Sequence, residues 1–244
     1  MTDHNHLEIQ GHCPICEKDT TFVAQGEWYR DTLFCQTCPN GSVPRERALA
    51  HILKRERPNW RDLAIHESSP TDRGISLQLR NECRQYVSSH YFSDQPFGTI
   101  IGAHRNENIE NQTFPSATFD IVVSLDVTEH VFDPSRLFME VYRTLKPGGI
   151  YVSTFPIRKW QVEATIKLAH LNPDGSIEFF KEPPEYHGNP IDNKGSLVTY
   201  DYGYDIHQQI ASWSLFDVEV TRFSDRFHGL LGEYTEVLIC HKRK

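Results

Sequence analysis

The stretch that decides the fold is Phe119-Asp120-Ile121-Val122-Val123-Ser124-Leu125-Asp126. Apolar and β-branched residues run through it almost without interruption. A strand with one solvated face would alternate between polar and apolar residues, so this pattern is typical of a strand buried on both faces of a parallel sheet. The sequence therefore predicts an α/β fold built around such a sheet.

A helix and another strand follow. Asp133 and Pro134 suit the cap and the first turn of a helix. Lys146-Pro147-Gly148-Gly149 ends this helix, because glycine adopts positive φ freely. Residues 150–155 form the next strand, which completes a βαβ unit with a right-handed crossover. Beyond it, we predict a helix and two strands at residues 204–214, 216–223 and 235–241.

Three motifs in this region resemble class I S-adenosylmethionine-dependent methyltransferases of the type 11 kind. They are Phe119-Asp120-Ile121-Val122, Asp126-Val127-Thr128-Glu129-His130-Val131 and Leu145-Lys146-Pro147-Gly148-Gly149. In that family, an FDxV strand ends at an acidic or polar residue beside the cofactor, an EH pair opens the next helix and an LKPGG turn precedes strand five. The resemblance covers residues 60–244. It implies a Rossmann-like methyltransferase sheet, parallel with an antiparallel C-terminal strand, that binds S-adenosylmethionine.

The resemblance also implies where the cofactor binds. The family's glycine-rich first turn corresponds to residues 65–74, which contain no glycine before Gly74. Glu67 matches the acidic residue at the end of strand one. The small Ser68 and Ser69 would allow the cofactor to approach closely, and their hydroxyls are candidates to bond the methionine carboxylate. The acid that normally ends strand two is missing from its usual place, and Asp94 comes a little late.

Further cofactor contacts are expected after strands three and four. Asn106 and Glu107 are candidates to accept a hydrogen bond from the adenine amino group, and Asp126 ends strand four. The alternative interpretation of residues 105–109 is an ordinary solvated loop.

An insertion at about residues 157–203 lies between strand five and the next helix, and it is longer than an ordinary connection. We expect it to recognise the methyl acceptor, with Tyr186, His187, Asp201 and Asp205 facing the transferable methyl group. His187 and Asp205 are candidate bases, Tyr186 is a candidate wall, and His130 is a further catalytic candidate. The alternative is a loop ordered by its own hydrogen bonds, with His130 as a packing or capping residue.

Two CxxC pairs precede the α/β region. The pairs Cys13-Pro14-Ile15-Cys16 and Cys35-Gln36-Thr37-Cys38 supply four thiolates, the ligand set of structural zinc. The alternatives are a redox pair, which leaves the second CxxC unexplained, and thiols that are placed by chance. Two short strands, at residues 22–24 and 28–34, would carry the cysteines, and a hairpin of this size would need metal to hold it. His4, His6 and His12 are interpreted as surface residues.

We therefore divide the chain into a zinc ribbon at residues 1–43, a linking helix at 44–59 and a methyltransferase domain at 60–244. Pro44 suits the first turn of the linking helix, and Pro58 ends it. The mixture of charged residues along this helix is typical of a solvated face.

Bulk composition narrows the function. The chain has 244 residues and a formal net charge of -8, which argues against nucleic acid as the main partner. The polar residues 1–10 show no signal peptide, no run reaches the length of a membrane span, and cysteines outside the CxxC pairs look unpaired. These features predict a cytoplasmic protein that does not bind membranes.

The leading hypothesis is methyl transfer from S-adenosylmethionine to a small polar metabolite, such as a sugar or a related compound. One alternative is an RNA methyltransferase that uses the ribbon for recognition, which would need a basic surface on the linking helix. The other is a methyltransferase-like binding or scaffold protein without turnover, which the glycine-poor first turn favours. The methyl acceptor, its reacting atom and the oligomeric state are not determined by the sequence.

Overall fold

The computed structural model describes residues 7–158, 164–191 and 193–244. The N-terminal part is a three-stranded antiparallel sheet of β1 (Glu8–Cys13), β2 (Lys18–Ala24) and β3 (Leu33–Cys35), with the short helix α1 (Tyr29–Thr32) between β2 and β3. The prediction of one strand over residues 28–34 is therefore wrong. The Thr32 hydroxyl donates to the Trp28 carbonyl at 2.8 Å, a local bond that closes a helical turn. His4 and His6 lie outside the described residues.

Helix α2 (Pro44–Glu56) begins at the predicted proline. The predicted solvated charged face is wrong for Glu46 and Arg47, which are both buried. The Arg47 guanidinium donates to the carbonyls of Leu33 at 2.9 Å and Gly229 at 2.8 Å. Because an isolated buried charge is unfavourable, these bonds explain how the arginine is accommodated, and they tie the ribbon to the helix and to the C-terminal region.

The rest of the chain alternates strands and helices. The helices are α3 (Gly74–Glu82), α4 (Pro134–Thr144) and α5 (Ile206–Trp213), and single 3-10 turns lie at Trp60–Asp62 and Thr128–His130. The strands are β4 (Ala64–Ser68), β5 (Gln85–His90), β6 (Ile100–Ile101), β7 (His104–Asn106), β8 (Phe119–Leu125), β9 (Leu145–Thr154), β10 (Ile166–Lys167), β11 (Ala169–Leu171), β12 (Ile177–Phe179), β13 (Tyr186–His187), β14 (Ser196–Leu197), β15 (Tyr200–Asp201), β16 (Phe216–Thr221) and β17 (Val237–Lys242).

Eight of these strands form the main sheet, in the order β16-β17-β9-β8-β4-β5-β7-β6. Strands β9, β8, β4, β5 and β7 are parallel, whereas β17 is antiparallel to β9. Strand β8 lies between β4 and β9, and Ile121, Val122 and Val123 are fully buried. The predicted Rossmann-like sheet with an antiparallel C-terminal strand is confirmed.

The LKPGG motif differs slightly from its predicted role. Helix α4 ends at Thr144, and the motif already belongs to β9, with a register shift near Phe119 on the paired strand. Gly148 has a φ of 78°, in the left-handed region that glycine adopts without strain. The predicted helix cap is present, since Asp133 Oδ1 accepts from the Arg136 amide at 3.2 Å.

The ribbon shares its core with the main domain. Phe22 and Leu33 from the ribbon belong to the same buried cluster as Leu49 and Ile52 from α2 and Val123 from β8. Helices α4 and α5 contribute to a second cluster on the other face of the sheet. The ribbon is thus packed against α2 and does not depend on metal alone for its burial.

Within residues 157–158, 164–191 and 193–203, the insertion forms three two-stranded antiparallel pairs, β10 with β15, β11 with β12 and β13 with β14. No helix among the described residues has both the length and the apolar character needed to cross a membrane.

Candidate active site

A cavity of about 1470 Å³ lies at the carboxyl edge of the parallel strands. Ligands of open α/β sheets bind at this edge. Residues after β4, β5, β7 and β8 line the cavity on one side, and the insertion lines it on the other. The predicted insertion therefore does face the predicted cofactor edge.

The turn after β4 lines the cavity although it has no glycine before Gly74. Ser68 and Ser69 both line the cavity. Ser69 has a φ of 56°, and its amide donates to the Ser89 carbonyl at 2.7 Å. Serine in this conformation is under mild strain, and its small side chain leaves the backbone open to a ligand.

Glu67 occupies a different place from the two serines. It is fully buried and accepts hydrogen bonds from the Ser76 hydroxyl at 2.5 Å and the Tyr86 hydroxyl at 2.7 Å. Burial raises the pKa of Glu67 to about 7, although both hydrogen bonds act in the opposite direction. Glu67 thus connects β4 to α3 and β5, and its side chain is absent from the cavity lining.

The end of β7 and the loop after it also use their polar side chains for internal hydrogen bonds. The Asn106 amide nitrogen donates to the carbonyls of Phe92 and Gln95, at 3.0 and 2.9 Å. Glu107 lines the cavity, but its carboxylate accepts from Arg105 at 2.6 Å and from Thr113 at 2.5 Å. Both residues therefore fix the loop, and contact with adenine would fall to neighbouring parts of it.

The late acid after strand two reaches the cavity. Asp94 lies in the loop that follows β5, and together with Tyr91 and Phe92 it lines the same wall. Its carboxylate is exposed there and is a candidate to accept from a ribose hydroxyl.

Asp126 lies at the end of β8 and faces two arginines from the N-terminal region. Its carboxylate oxygens are 2.7 Å from Arg30 Nη2 and 3.0 Å from Arg45 Nε. Burial acts to raise the pKa of Asp126, but the two guanidinium groups outweigh burial and hold it below its usual range. Arg30 also donates to the Tyr234 carbonyl at 3.1 Å. The ribbon and α2 therefore build one wall of the cavity.

The EH motif meets the insertion across the cavity. Glu129 Oε1 lies 3.8 Å from His187 Nδ1 and 3.9 Å from His130 Nε2. The Glu129 carboxylate raises the pKa of His187, burial opposes this effect, and Glu185 adds to the increase. Of the predicted catalytic residues, His130 and His187 are thus brought together.

The other predicted acceptor residues are not at this meeting point. Tyr186 is 53% exposed and does not line the cavity, because neighbouring residues of a strand point to opposite sides. Asp205 accepts from the Thr165 hydroxyl at 2.9 Å and from Gln209, at the start of α5. Asp201 lines the cavity and accepts from Arg158 at 2.7 Å.

The four cysteines of the CxxC pairs converge as predicted. Every pair of their sulfur atoms lies within 4.8 Å, and Cys13 Sγ is 3.5 Å from Cys38 Sγ. This spacing suits four thiolates around one metal ion. Buried Arg47 reaches the edge of the cluster, since its guanidinium lies 3.3 Å from the Ser42 hydroxyl and that hydroxyl lies 3.4 Å from Cys38 Sγ. A four-thiolate site carries excess negative charge, so the arginine fits a metal-bound cluster.

Sequence reasoning missed Arg30 and Arg45 as cavity residues, and it did not single out Glu129 itself. The arginines are distant from β8 in the chain, and only the packing of the ribbon brings them to Asp126. Glu129 carried a signal in the EH motif, where the histidine alone was considered.

Comparison with known proteins supports the same class. Residues 76–153 match a family described as a methyltransferase domain. A segment of 54 residues is 35% identical to a Mycolicibacterium smegmatis protein named "probable S-adenosylmethionine-dependent methyltransferase", and it covers 22% of this chain and 21% of that protein. The matched segments span about a fifth of the length of each curated relative.

Solved structures agree on the fold. An S-adenosylmethionine-dependent methyltransferase from Mesorhizobium loti has a TM-score of 0.52 at 17% identity, covering 80% of this chain and 98% of that chain. The [4+2]-cyclase SpnF has a TM-score of 0.53 at 12% identity, covering 81% of both chains. The family match over residues 76–153 agrees with the methyltransferase class that the motifs predicted, and the solved structures agree with it in fold. A protein named for cyclisation shares the fold, so the reaction must be argued from the site.

Proposed function

We propose that this protein transfers a methyl group from S-adenosylmethionine to a small polar acceptor. The observation that carries the proposal is the cavity itself, which joins the family's cofactor edge to the insertion. Ser68, Ser69 and Asp94 would contact the cofactor from the ends of β4 and β5. Asp126 would shape the pocket from β8 through its two arginine partners.

His187 is the proposed base on the acceptor side, and His130 lies beside it. The sulfonium of the cofactor is already activated, so alignment supplies most of the catalysis and a base is needed only when the acceptor must lose a proton. The ring centroids of His130 and His187 are 5.2 Å apart, at the face of the cavity that the insertion covers. Tyr186 and Asp205 are less well placed, given their exposure and their hydrogen bonds.

Structural zinc in the cysteine cluster is part of the proposal. Cys13, Cys16, Cys35 and Cys38 would fill all four positions of the ion, which leaves none for chemistry. Zinc would therefore act on the reaction only indirectly, by holding the ribbon that presents Arg30 to Asp126.

A small acceptor is favoured over RNA by the charges on α2. Arg45 and Arg47 are engaged with Asp126 and with buried carbonyls. Lys54 lies 2.7 Å from Glu17, and Arg55 lies 3.3 Å from Glu219. Because these cations are paired within the chain, α2 does not offer the basic surface that the RNA hypothesis requires.

The proposal is tested by incubating the protein with S-adenosylmethionine and separate pools of sugars, other polar metabolites and transfer RNA. Mass spectrometry would follow S-adenosylhomocysteine and products heavier by one methylene unit. Product in a metabolite pool supports the proposal. Product in the RNA pool alone supports the RNA alternative, and cofactor binding without product in any pool supports the scaffold alternative.

A further inference from the structure

The cavity contains a cluster of three residues, Glu129, His130 and His187, in which the buried carboxylate lacks hydrogen bonds from the described part of the chain. Glu129 is only 2% exposed, yet neither carboxylate oxygen has a hydrogen-bond partner among residues 7–158, 164–191 and 193–244. All three residues line the cavity. A buried carboxylate without hydrogen bonds is costly, so a positive charge, either on a protonated His187 or on a bound cation, must compensate it.

In each histidine, the ring nitrogen that does not face Glu129 contacts an acceptor oxygen. That contact determines which ring nitrogen carries the proton and which carries the lone pair. His130 Nδ1 lies 2.8 Å from the Leu197 carbonyl oxygen. A carbonyl can only accept, so Nδ1 carries the proton and the lone pair of a neutral ring is on Nε2. His187 Nε2 lies 3.4 Å from Glu185 Oε1, which by the same argument places the lone pair on Nδ1.

Both lone pairs therefore point at the Glu129 carboxylate. The distances of 3.8 Å and 3.9 Å are too long for hydrogen bonds. One carboxylate oxygen and two imidazole nitrogens, each oriented by a carbonyl or carboxylate behind it, are the arrangement found at metal centres. Neighbouring ligands of a first-row metal, with bonds of about 2.1 Å, lie roughly 3.0–3.5 Å apart, so a small inward shift would complete the site.

We propose that Glu129, His130 and His187 bind a divalent transition-metal cation inside the cavity, separate from the cysteine cluster. Two histidines and one carboxylate leave coordination positions open. Those positions would face the cavity and could accept two adjacent oxygen atoms of a chelating molecule. Because the cation would take the Nδ1 lone pair of His187, in the loaded protein the cation would replace His187 as the group that promotes loss of the acceptor proton. That this molecule is the methyl acceptor rests on the proposed function, whereas cation binding itself does not.

Binding of Mn²⁺ to the full-length protein tests the site. Manganese is a suitable probe because it disfavours thiolate ligands, so the cysteine cluster does not compete for it. Electron paramagnetic resonance would measure free Mn²⁺ during a titration. We expect one bound ion per chain, and an affinity at least about tenfold weaker in Glu129→Gln, which keeps the shape of the side chain but removes its charge.

His130→Ala and His187→Ala should weaken binding similarly, whereas His207→Ala is the matched control on the exposed face of α5. Equal Mn²⁺ binding in the wild type and all three cluster variants, or no binding at millimolar Mn²⁺, would overturn the proposal. S-adenosylhomocysteine binding is measured on the same samples. Intact cofactor binding without Mn²⁺ binding rejects only the cation site, whereas Mn²⁺ binding without cofactor binding rejects only the proposed function.

Discussion

The cysteine cluster and the cavity differ in how the chain assembles them. Each CxxC pair brings two ligands together within four residues, and the whole cluster comes from residues 13–38. The cavity instead combines the ends of four strands, an insertion and two arginines from the N-terminal region. A closed site can thus be specified by local spacing, whereas an open site depends on the packing of distant segments.

The two regions are nevertheless joined. Arg30, which follows the first CxxC pair in the chain, reaches Asp126 at the cavity wall at 2.7 Å. Arg47 connects the ribbon to the C-terminal region through the Leu33 and Gly229 carbonyls. Substitutions in the ribbon should therefore alter the cavity, whereas substitutions in the insertion should leave the structure of the ribbon unchanged.

The largest effect is expected from Cys16→Ser, which removes one of the four thiolates. Structural zinc contributes about 10–16 kcal/mol of apparent binding energy in small zinc peptides, and losing a third of this would lower Tm by roughly 10 °C. Elemental analysis and thermal unfolding would measure both effects. Cys83→Ser is the control, because Cys83 is buried outside the cluster. Unchanged Tm in a zinc-free Cys16→Ser protein would show that packing alone holds the ribbon.

A second prediction concerns the pH dependence of stability caused by Glu67. Its pKa is raised from 4.5 to about 7 in the folded protein. Below pH 4.5 the Glu67 carboxyl is protonated in both the folded and the unfolded state. The stability that the folded protein has at that pH is lost as pH rises through about 7. The free energy of unfolding should fall by about 3 kcal/mol over this window because of Glu67.

Glu67→Gln should remove that fall, and urea unfolding between pH 4 and pH 8 would measure it. The exposed Glu178→Gln serves as control. An identical pH profile for Glu67→Gln and the wild type would contradict the assignment of Glu67 as a buried, protonated structural residue.

A third prediction addresses the insertion side of the cavity. His187→Ala should lower turnover by roughly one hundredfold if His187 is the general base, and it should leave S-adenosylhomocysteine affinity and the zinc content unchanged. His170→Ala, also in the insertion but outside the main cavity, is the control. A collapse of cofactor affinity would place His187 in the cofactor pocket, and unchanged turnover would make it structural.

The smallest effect is expected at the junction of the two regions. Asp126→Ala removes one of the two carboxylates beside Arg30 and Arg45, while Asp31 remains. This loss should cost about 2 kcal/mol of stability, less than a fully buried pair because the Asp126 side chain is partly exposed. Urea unfolding would measure the loss, and cofactor affinity should fall as well. The exposed pair of Asp72 and Arg80 provides the control, since Asp72→Ala should cost less than about 0.5 kcal/mol. Equal losses in both variants would argue against a coupling of ribbon and cavity.

The sequence predicted the fold well where a single segment carried the signal. The nearly continuous apolar run of β8 is typical of a buried strand and the cap at Asp133 is typical of a helix start, and both are present. Residues 28–34 were predicted as a strand because their aromatic content favours extended structure. The local hydrogen bond that closes the helical turn leaves no comparable pattern in the sequence.

The site was harder to predict because side-chain direction depends on tertiary contacts. Glu67 lies at the expected strand and Asn106 ends β7 where a loop was predicted, and neighbouring hydroxyls and carbonyls engage the polar atoms of both. The methyltransferase class is supported by the family match over residues 76–153. The individual site residues, the zinc and the domain boundaries stay predictions.

The central claim is that the cavity binds the methyl donor, and calorimetric titration with S-adenosylhomocysteine tests it most directly. We predict one binding event per chain, weakened by Asp126→Arg, which fills the pocket wall and reverses its charge, and unchanged in His207→Ala. A folded wild-type protein that shows no heat of binding at millimolar S-adenosylhomocysteine would contradict the account.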